Sequence, residues 1–231
     1  MLLAIDTSNK NSGVALIDKE KTIIELMEWN TAYNHTPDLL PSIHKILTKY
    51  QLGFKDLRGL SINIGPGQFS GLRVGLTTAK TISWSHNLPL MTSTSLELEA
   101  YTHRLSGNII CPVMQLNKLQ IAWSIYNSHN NIMTEIHQTN IDQIDSFTEN
   151  ILSVISQSDY ADKDVIICGD SINDFIQLET NTKYKVVNSM SRDRITNLAT
   201  IGLDKLKNNE IADPAVIEPF YMKPPTITKP K

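Results

Sequence analysis

With 231 residues, 41% of them apolar, the chain is long enough to bury one sizeable core or two modest ones, and no long stretch has a disordered composition. Its 21 Lys and Arg against 24 Asp and Glu, a formal charge of -3, leave no footprint for tight independent binding of nucleic acid, which rests on clustered cations neutralising phosphates; any RNA role needs a basic partner. The two cysteines, Cys111 and Cys168, lie in apolar, strand-like runs with no second Cys or His at ligand spacing, so buried reduced thiols are expected, not a disulfide or a metal pair.

In chain order, residues 2–6, 12–18 and 22–28 are β-like runs joined by short polar turns, followed by a helical pattern over 36–50. A strand over 58–64, a helix over 71–86, a short strand over 89–93 and a helix over 95–104 complete a β-β-β-α-β-α-β-α order. The second half repeats it: strands near 109–116, 120–127 and 131–137, a helix near 144–158, a strand over 164–169, a helix near 172–179, the strand "YKVVN" and a helix near 194–208. Corresponding elements are offset by about a hundred residues, the mark of an internal duplication. Two such units, each a mixed sheet flanked by helices, make the α/β, duplicated actin-like (ribonuclease-H-like) architecture shared by sugar kinases and related ATPases. The expected organisation is an N-terminal subdomain over 1–105, a C-terminal subdomain over 106–212 and a Pro-rich extension over 213–231. The start "MLLAIDTS" has no basic leader or long apolar segment, so the cytoplasm is the expected compartment and no membrane span is read.

Between the strand over 58–64 and the following helix, "NIGPGQFSGLRVG" concentrates glycines where phosphate-binding loops occur. A Walker A loop fails, because the positions five after Gly65 and Gly67 are Ser70 and Leu72. A dinucleotide fingerprint counted from Gly65 fails as well, with Ser70 in the sixth place. The residues instead suit a type II turn centred on Pro66 and Gly67, with Ser70 as helix N-cap and Asn87 and Pro89 marking the other end. Along that helix Gly71, Gly75, Ala79 and Ser83 share one face, which can pack inside its own subunit or against a helix of another chain. Arg73, in the first turn, is either an anion ligand or an ordinary surface arginine.

Other constellations are weaker. In actin-like ATPases the turn between the first two strands of each half grips phosphate; here "DTSNKNSG" offers Asp6, Thr7 and Ser8, whereas "MQLNKLQIAW" lacks Gly, Asp, Ser and Thr between Met114 and Trp123. The first turn therefore reads as a polar hairpin turn or as half of a phosphate clamp. A strand-to-helix turn at 167–175, with Asp170 or Ser171 as cap, stands where adenine could be contacted. The six histidines include no HExxH and no HxxxH pair, so no metal site is read. Ser42 and Lys45 form an isolated S-x-x-K string without its companion motifs.

"GPGQFSGLRVGLTTAK" (65–80), "AIDTS" (4–8), "HTPDLLP" (35–41), "STSLE" (93–97) and "EPFYMKPP" (218–225) together resemble the TsaB (YeaZ) family, accessory subunits for making threonylcarbamoyladenosine in tRNA. The resemblance covers the whole chain and is densest in its first hundred residues. It implies an actin-like fold and a degenerate paralogue of TsaD, the transferase that modifies the adenosine beside the anticodon, with no catalytic residue of its own. It implies docking of TsaD through the helices near 36–50 and 71–86, where Leu39, Leu40, Ile43, Gly71, Leu72, Gly75 and Ala79 fall. It further implies TsaE as a third component, tRNA reached only through the complex, and ATP and a metal belonging to that complex; the alternatives to this reading are an actin-like ATPase or small-molecule kinase using Asp6, Thr7 and Ser8, and a regulatory homodimer formed through the same helix face when the chain is alone. The turn "QLNK" (115–118) departs from the family's usual Asp-Ala-Arg-Lys/Arg.

Overall fold

The computed structural model describes residues 1–30, 36–156, 160, 162–170, 172–174 and 183–222. Five strands, β1 (Leu2–Asp6), β2 (Asn11–Ile17), β3 (Ile23–Asn30), β4 (Gly59–Asn63) and β5 (Leu90–Ser93), form one sheet in the order β3-β2-β1-β4-β5. Five more, β6 (Ile109–Gln115), β7 (Gln120–His129), β8 (Ile132–Gln143), β9 (Val165–Gly169) and β10 (Tyr184–Asn188), form a second sheet in the order β8-β7-β6-β9-β10. In each, the first three strands make an antiparallel meander and the last two add parallel to the first. The duplication expected from the pattern is thus present in order and in direction.

The central strand β1 reads as a nearly continuous apolar run because both of its faces are covered. Leu3 and Ile5 face a core shared with α1 (Thr36–Lys49) and α2 (Phe69–His86), while Leu2 and Ala4 face a core containing Leu198, Ala199 and Ile201 of α5 (Ser191–Lys207). On the second sheet, β6 turns Cys111 and Val113 toward Phe147 and Ile151 of α4 (Ile144–Ser156), and Ile110 toward Ala100 of α3 (Ser95–Tyr101). The last helices are therefore exchanged: α3, from the first half, lies on β6, β7 and β9, and α5, from the second, lies on β1, β2, β4 and β5. Both cysteines are buried free thiols whose pKa burial pushes up.

Local chemistry explains most element ends. "STSLE" is a capping box: Thr94 Oγ1 accepts from Glu97 N at 3.1 Å and Glu97 Oε2 reaches back to Thr94 N. Asn87 closes α2 in the left-handed conformation, as expected. The start of α2 differs from expectation. The N-cap is Gln68, not Ser70, and its side chain makes no capping bond; its backbone N–H donates to Ser8 O at 2.6 Å, so a tertiary contact fixes the first turn where a hydroxyl was expected. In the second half a short 3-10 turn, Ile172–Asp174, stands at the start of the expected 172–179 helix; the rest of that segment, Ser171 and His35 lie outside the described residues. Residues 212–222 cross the first half, with Ala212 bridged to Leu90, Phe220 N bonded to Ile64 O and Tyr221 against Arg73.

Candidate functional site

The turn after β1 is the first place to look for chemistry, and its side chains point inward. Asp6, Thr7 and Ser8 are buried. Asn63, at the end of β4, shares its two Nδ2–H donors among Asp6 Oδ1 (3.1 Å), Ser8 Oγ (2.9 Å) and Ser95 Oγ (3.0 Å), tying together three elements that meet at the sheet's edge. Arg194, in the first turns of α5, completes the network: Nη1 donates to Glu99 Oε1 at 2.8 Å, and Nη2 to Ser8 Oγ at 2.8 Å and Ser95 Oγ at 3.1 Å. Its Nε lies 3.5 Å from Asp6 Oδ2. Burial alone would lower the Arg194 pKa; the Asp6 and Glu99 carboxylates outweigh that and hold it above the ordinary value. Asp6, the carboxylate that a phosphate clamp would present to a metal, is instead neutralised by a fixed guanidinium.

The glycine-rich stretch packs onto this same turn. A Cβ on Gly67 would lie 2.2 Å from Ser8 O, and one on Gly75 would lie 2.2 Å from Thr7 Oγ1. Thr7 Oγ1 also donates to Gly71 O at 2.7 Å. The small residues therefore let α2 and its leading loop rest directly on the end of β1; what meets the row is the chain's own strand, not a second helix. The type II turn is also corrected. Gly65, not Gly67, is the positive-φ residue (φ 110), and Gly67 is glycine because backbone fills the space of a side chain.

Of the seven residues expected at a docking surface, Leu39, Ile43, Gly71, Leu72, Gly75 and Ala79 are buried within the chain, and only Leu40, at 53%, is exposed. The outer face of α2 carries Arg73, Thr77, Thr81 and Trp84, the last 75% exposed. Arg73 stacks over the Phe69 ring at 3.8 Å and its Nε donates to Tyr221 Oη at 2.8 Å, so it is a surface arginine held by aromatic neighbours. Ser42 is buried and Lys45 exposed.

The two halves enclose a cleft of about 420 Å³. Ser8, Asn9, Gly67 and Gln68 line it from the first half; Val113, Met114, Gln115, Leu116 and Asp170 line it from the second, with Glu99 and Arg194 from the exchanged helices. The second-half turn that borders it, 115–118, closes on itself: Asn117 Oδ1 accepts from Leu119 N at 2.9 Å and from Gln120 N at 3.0 Å. Its one amide oxygen is thus engaged by the turn's own backbone. Among the described residues no group of three or more His, Cys, Asp or Glu could hold a metal ion, and no helix is long and apolar enough to cross a membrane.

Sequence reasoning found Asp6, Thr7 and Ser8 but not their partners Asn63, Glu99 and Arg194. Arg194 was open to detection, because it precedes Leu198 and Ile201 by four and seven positions and so falls on the buried stripe of α5. Trp84 was equally open to detection as the residue left on the outer face once the glycine row is turned inward.

Comparison with known proteins places this geometry. Residues 29–217 match the family model for TsaD, tRNA N6-adenosine threonylcarbamoyltransferase. The tRNA threonylcarbamoyladenosine biosynthesis protein TsaB of Bacillus subtilis is 31% identical over 135 residues, 58% of this chain and 58% of that protein, so the match spans about three fifths of the relative's length. Among solved structures, YeaZ from Pseudomonas aeruginosa superposes with a TM-score of 0.78 at 16% identity, covering 96% of this chain and 99% of that one. A ROK family protein from Streptococcus pneumoniae, solved with sucrose, gives a TM-score of 0.52 at 10% identity over 90% of this chain and 99% of that one. At these identities the structural likeness speaks for the fold, which is the duplicated actin-like arrangement.

Proposed function

The chain belongs to the TsaD family of tRNA N6-adenosine threonylcarbamoyltransferases, on its TsaB (YeaZ) branch, and we propose that it is the non-catalytic subunit that docks and supports a TsaD transferase during synthesis of threonylcarbamoyladenosine in tRNA. The observation that carries this reading is the state of the turn after β1. Asp6 and Ser8 are engaged by Arg194 and Asn63, and Thr7 by the backbone of α2, so the elements that would grip a phosphate are closed within the fold. The outer faces of α1 and α2, by contrast, are open to solvent.

In this reading α1 and α2 dock TsaD, with Leu40 and Trp84 as apolar anchors. Leu39, Ile43, Gly71, Leu72, Gly75 and Ala79 act from beneath, holding both helices against the first sheet. TsaE joins the assembled pair, tRNA meets this chain only within the complex, and ATP and a metal belong to the partner complex. The working compartment is the cytoplasm. The exposure of Trp84 also supports a second state, a homodimer closed through the same face when no partner is present. The rival reading, an actin-like ATPase or small-molecule kinase using Asp6, Thr7 and Ser8, requires the Arg194 network to open.

Solution mass by light scattering, for the chain alone and mixed with TsaD from the same organism, tests the proposal; a one-to-one species is expected on mixing. Trp84→Ala should weaken that pairing by about 2 kcal/mol or more, roughly thirtyfold, with the unfolding temperature of the isolated chain unchanged. Unchanged affinity in the Trp84→Ala, Leu40→Ala double variant rejects this face. Turnover of Mg-ATP by the isolated chain rejects the non-catalytic reading.

A further inference from the structure

The cleft between the halves holds a polar atom that docking does not use. Glu99 lines the cleft, is 2% exposed, and places Oε1 on Arg194 Nη1; its Oε2 is buried with no hydrogen-bond partner. A carboxylate oxygen left in that state carries its desolvation cost in full, and the group that relieves it is an N–H or O–H donor. The charges narrow the choice of donor. Asp6 and Glu99 both lie against Arg194, so two buried carboxylates face one guanidinium, and Asp170 also lines the cleft. The Nη1 and Nη2 of that guanidinium already donate to Glu99, Ser8 and Ser95, and its Nε, which has no hydrogen-bond partner, faces Asp6 Oδ2 at 3.5 Å. No lysine and no second arginine lines the cleft among the described residues. A phosphate or carboxylate entering here meets an excess of like charge, whereas an ammonium ion balances it. Val113, Met114 and Leu116 add apolar surface, and about 420 Å³ lies within the range of small-molecule sites.

We propose that this cleft binds a small organic ammonium ion, its N–H donating to Glu99 Oε2 and its hydrocarbon body lying against Val113, Met114 and Leu116. This site is independent of TsaD docking through α1 and α2, so either can fail without the other. The test is a titration of the isotope-labelled full chain followed by amide chemical shifts, with n-butylammonium chloride as probe. Tetramethylammonium chloride, a cation without an N–H, and sodium phosphate serve as comparisons. Saturable shifts at Gly67, Gln68 and Gln115 are expected with butylammonium, roughly tenfold weaker or more with tetramethylammonium, and none with phosphate. Glu99→Gln should weaken butylammonium binding roughly tenfold. Because that change also disturbs the Arg194 pair, Leu116→Trp, which fills the cleft and leaves the pair intact, should give a comparable loss at an unchanged unfolding temperature. Equal shifts for both cations, absence of saturation with butylammonium, or a butylammonium-soaked crystal holding only a water on Glu99 Oε2 would each overturn the site.

Discussion

In the first half, the turn after β1 is buried and bonded to distant parts of the chain: Asp6 and Ser8 to Arg194 and Asn63, Thr7 to the backbone of α2. In the second half, the turn after β6 stands in the same topological place, but Asn117 and Leu119 are exposed and the turn is closed by the Asn117 side chain and by backbone bonds from Leu116 and Asn117 to Gln120 O. Duplication has kept strand order and direction in both halves while the chemistry at equivalent turns has diverged. One turn has become part of the core that joins the halves; the other has become a local structure with little at stake.

That contrast can be broken experimentally from the costly side first. Arg194→Ala removes the guanidinium from between Asp6 and Glu99 and strands two buried carboxylates. A loss of about 3–5 kcal/mol is expected in urea unfolding, and a loss under about 1 kcal/mol would mean that solvent reaches the network. Gly75→Ala should cost about 1–3 kcal/mol, because the added methyl meets Thr7 Oγ1. Thr7→Ala introduced with it should recover part of that loss, and strict additivity of the two changes would deny the contact. On the second turn, Asn117→Ala should cost at most about 1 kcal/mol, since the freed N–H groups of Leu119 and Gln120 can turn to water. A larger effect there would show that the two turns matter equally.

Much of the framework was legible in the sequence because its signals are local. The apolar runs of β1, β4, β6 and β9 and the left-handed cap at Asn87 fell where periodicity and turn chemistry put them. The errors came where a distant segment decides a local outcome. Ser70 had the better capping chemistry, yet Gln68 begins the helix because Ser8 O holds its N–H. The spacing of Gly71, Gly75 and Ala79 predicts a close-packing face, but periodicity says only that something small is needed, not which segment supplies the neighbour. Glu99 and Arg194 were passed over because charges on helices ordinarily face water, and only their mutual pairing makes burial tolerable.

The exchange of α3 and α5 has a consequence for how the chain is made. The face of the first sheet formed by Leu2, Ala4, Ala15 and Ile17 is covered by Leu198, Ala199 and Ile201, which the ribosome delivers nearly two hundred residues after Leu2. Until then the nascent first half carries an open apolar sheet surface that it cannot cover from its own sequence. Folding must wait for a contact of high sequence separation, and such contacts are slow to form. Cooperative, single-step loss of both halves on unfolding is the expected consequence of where one helix was placed.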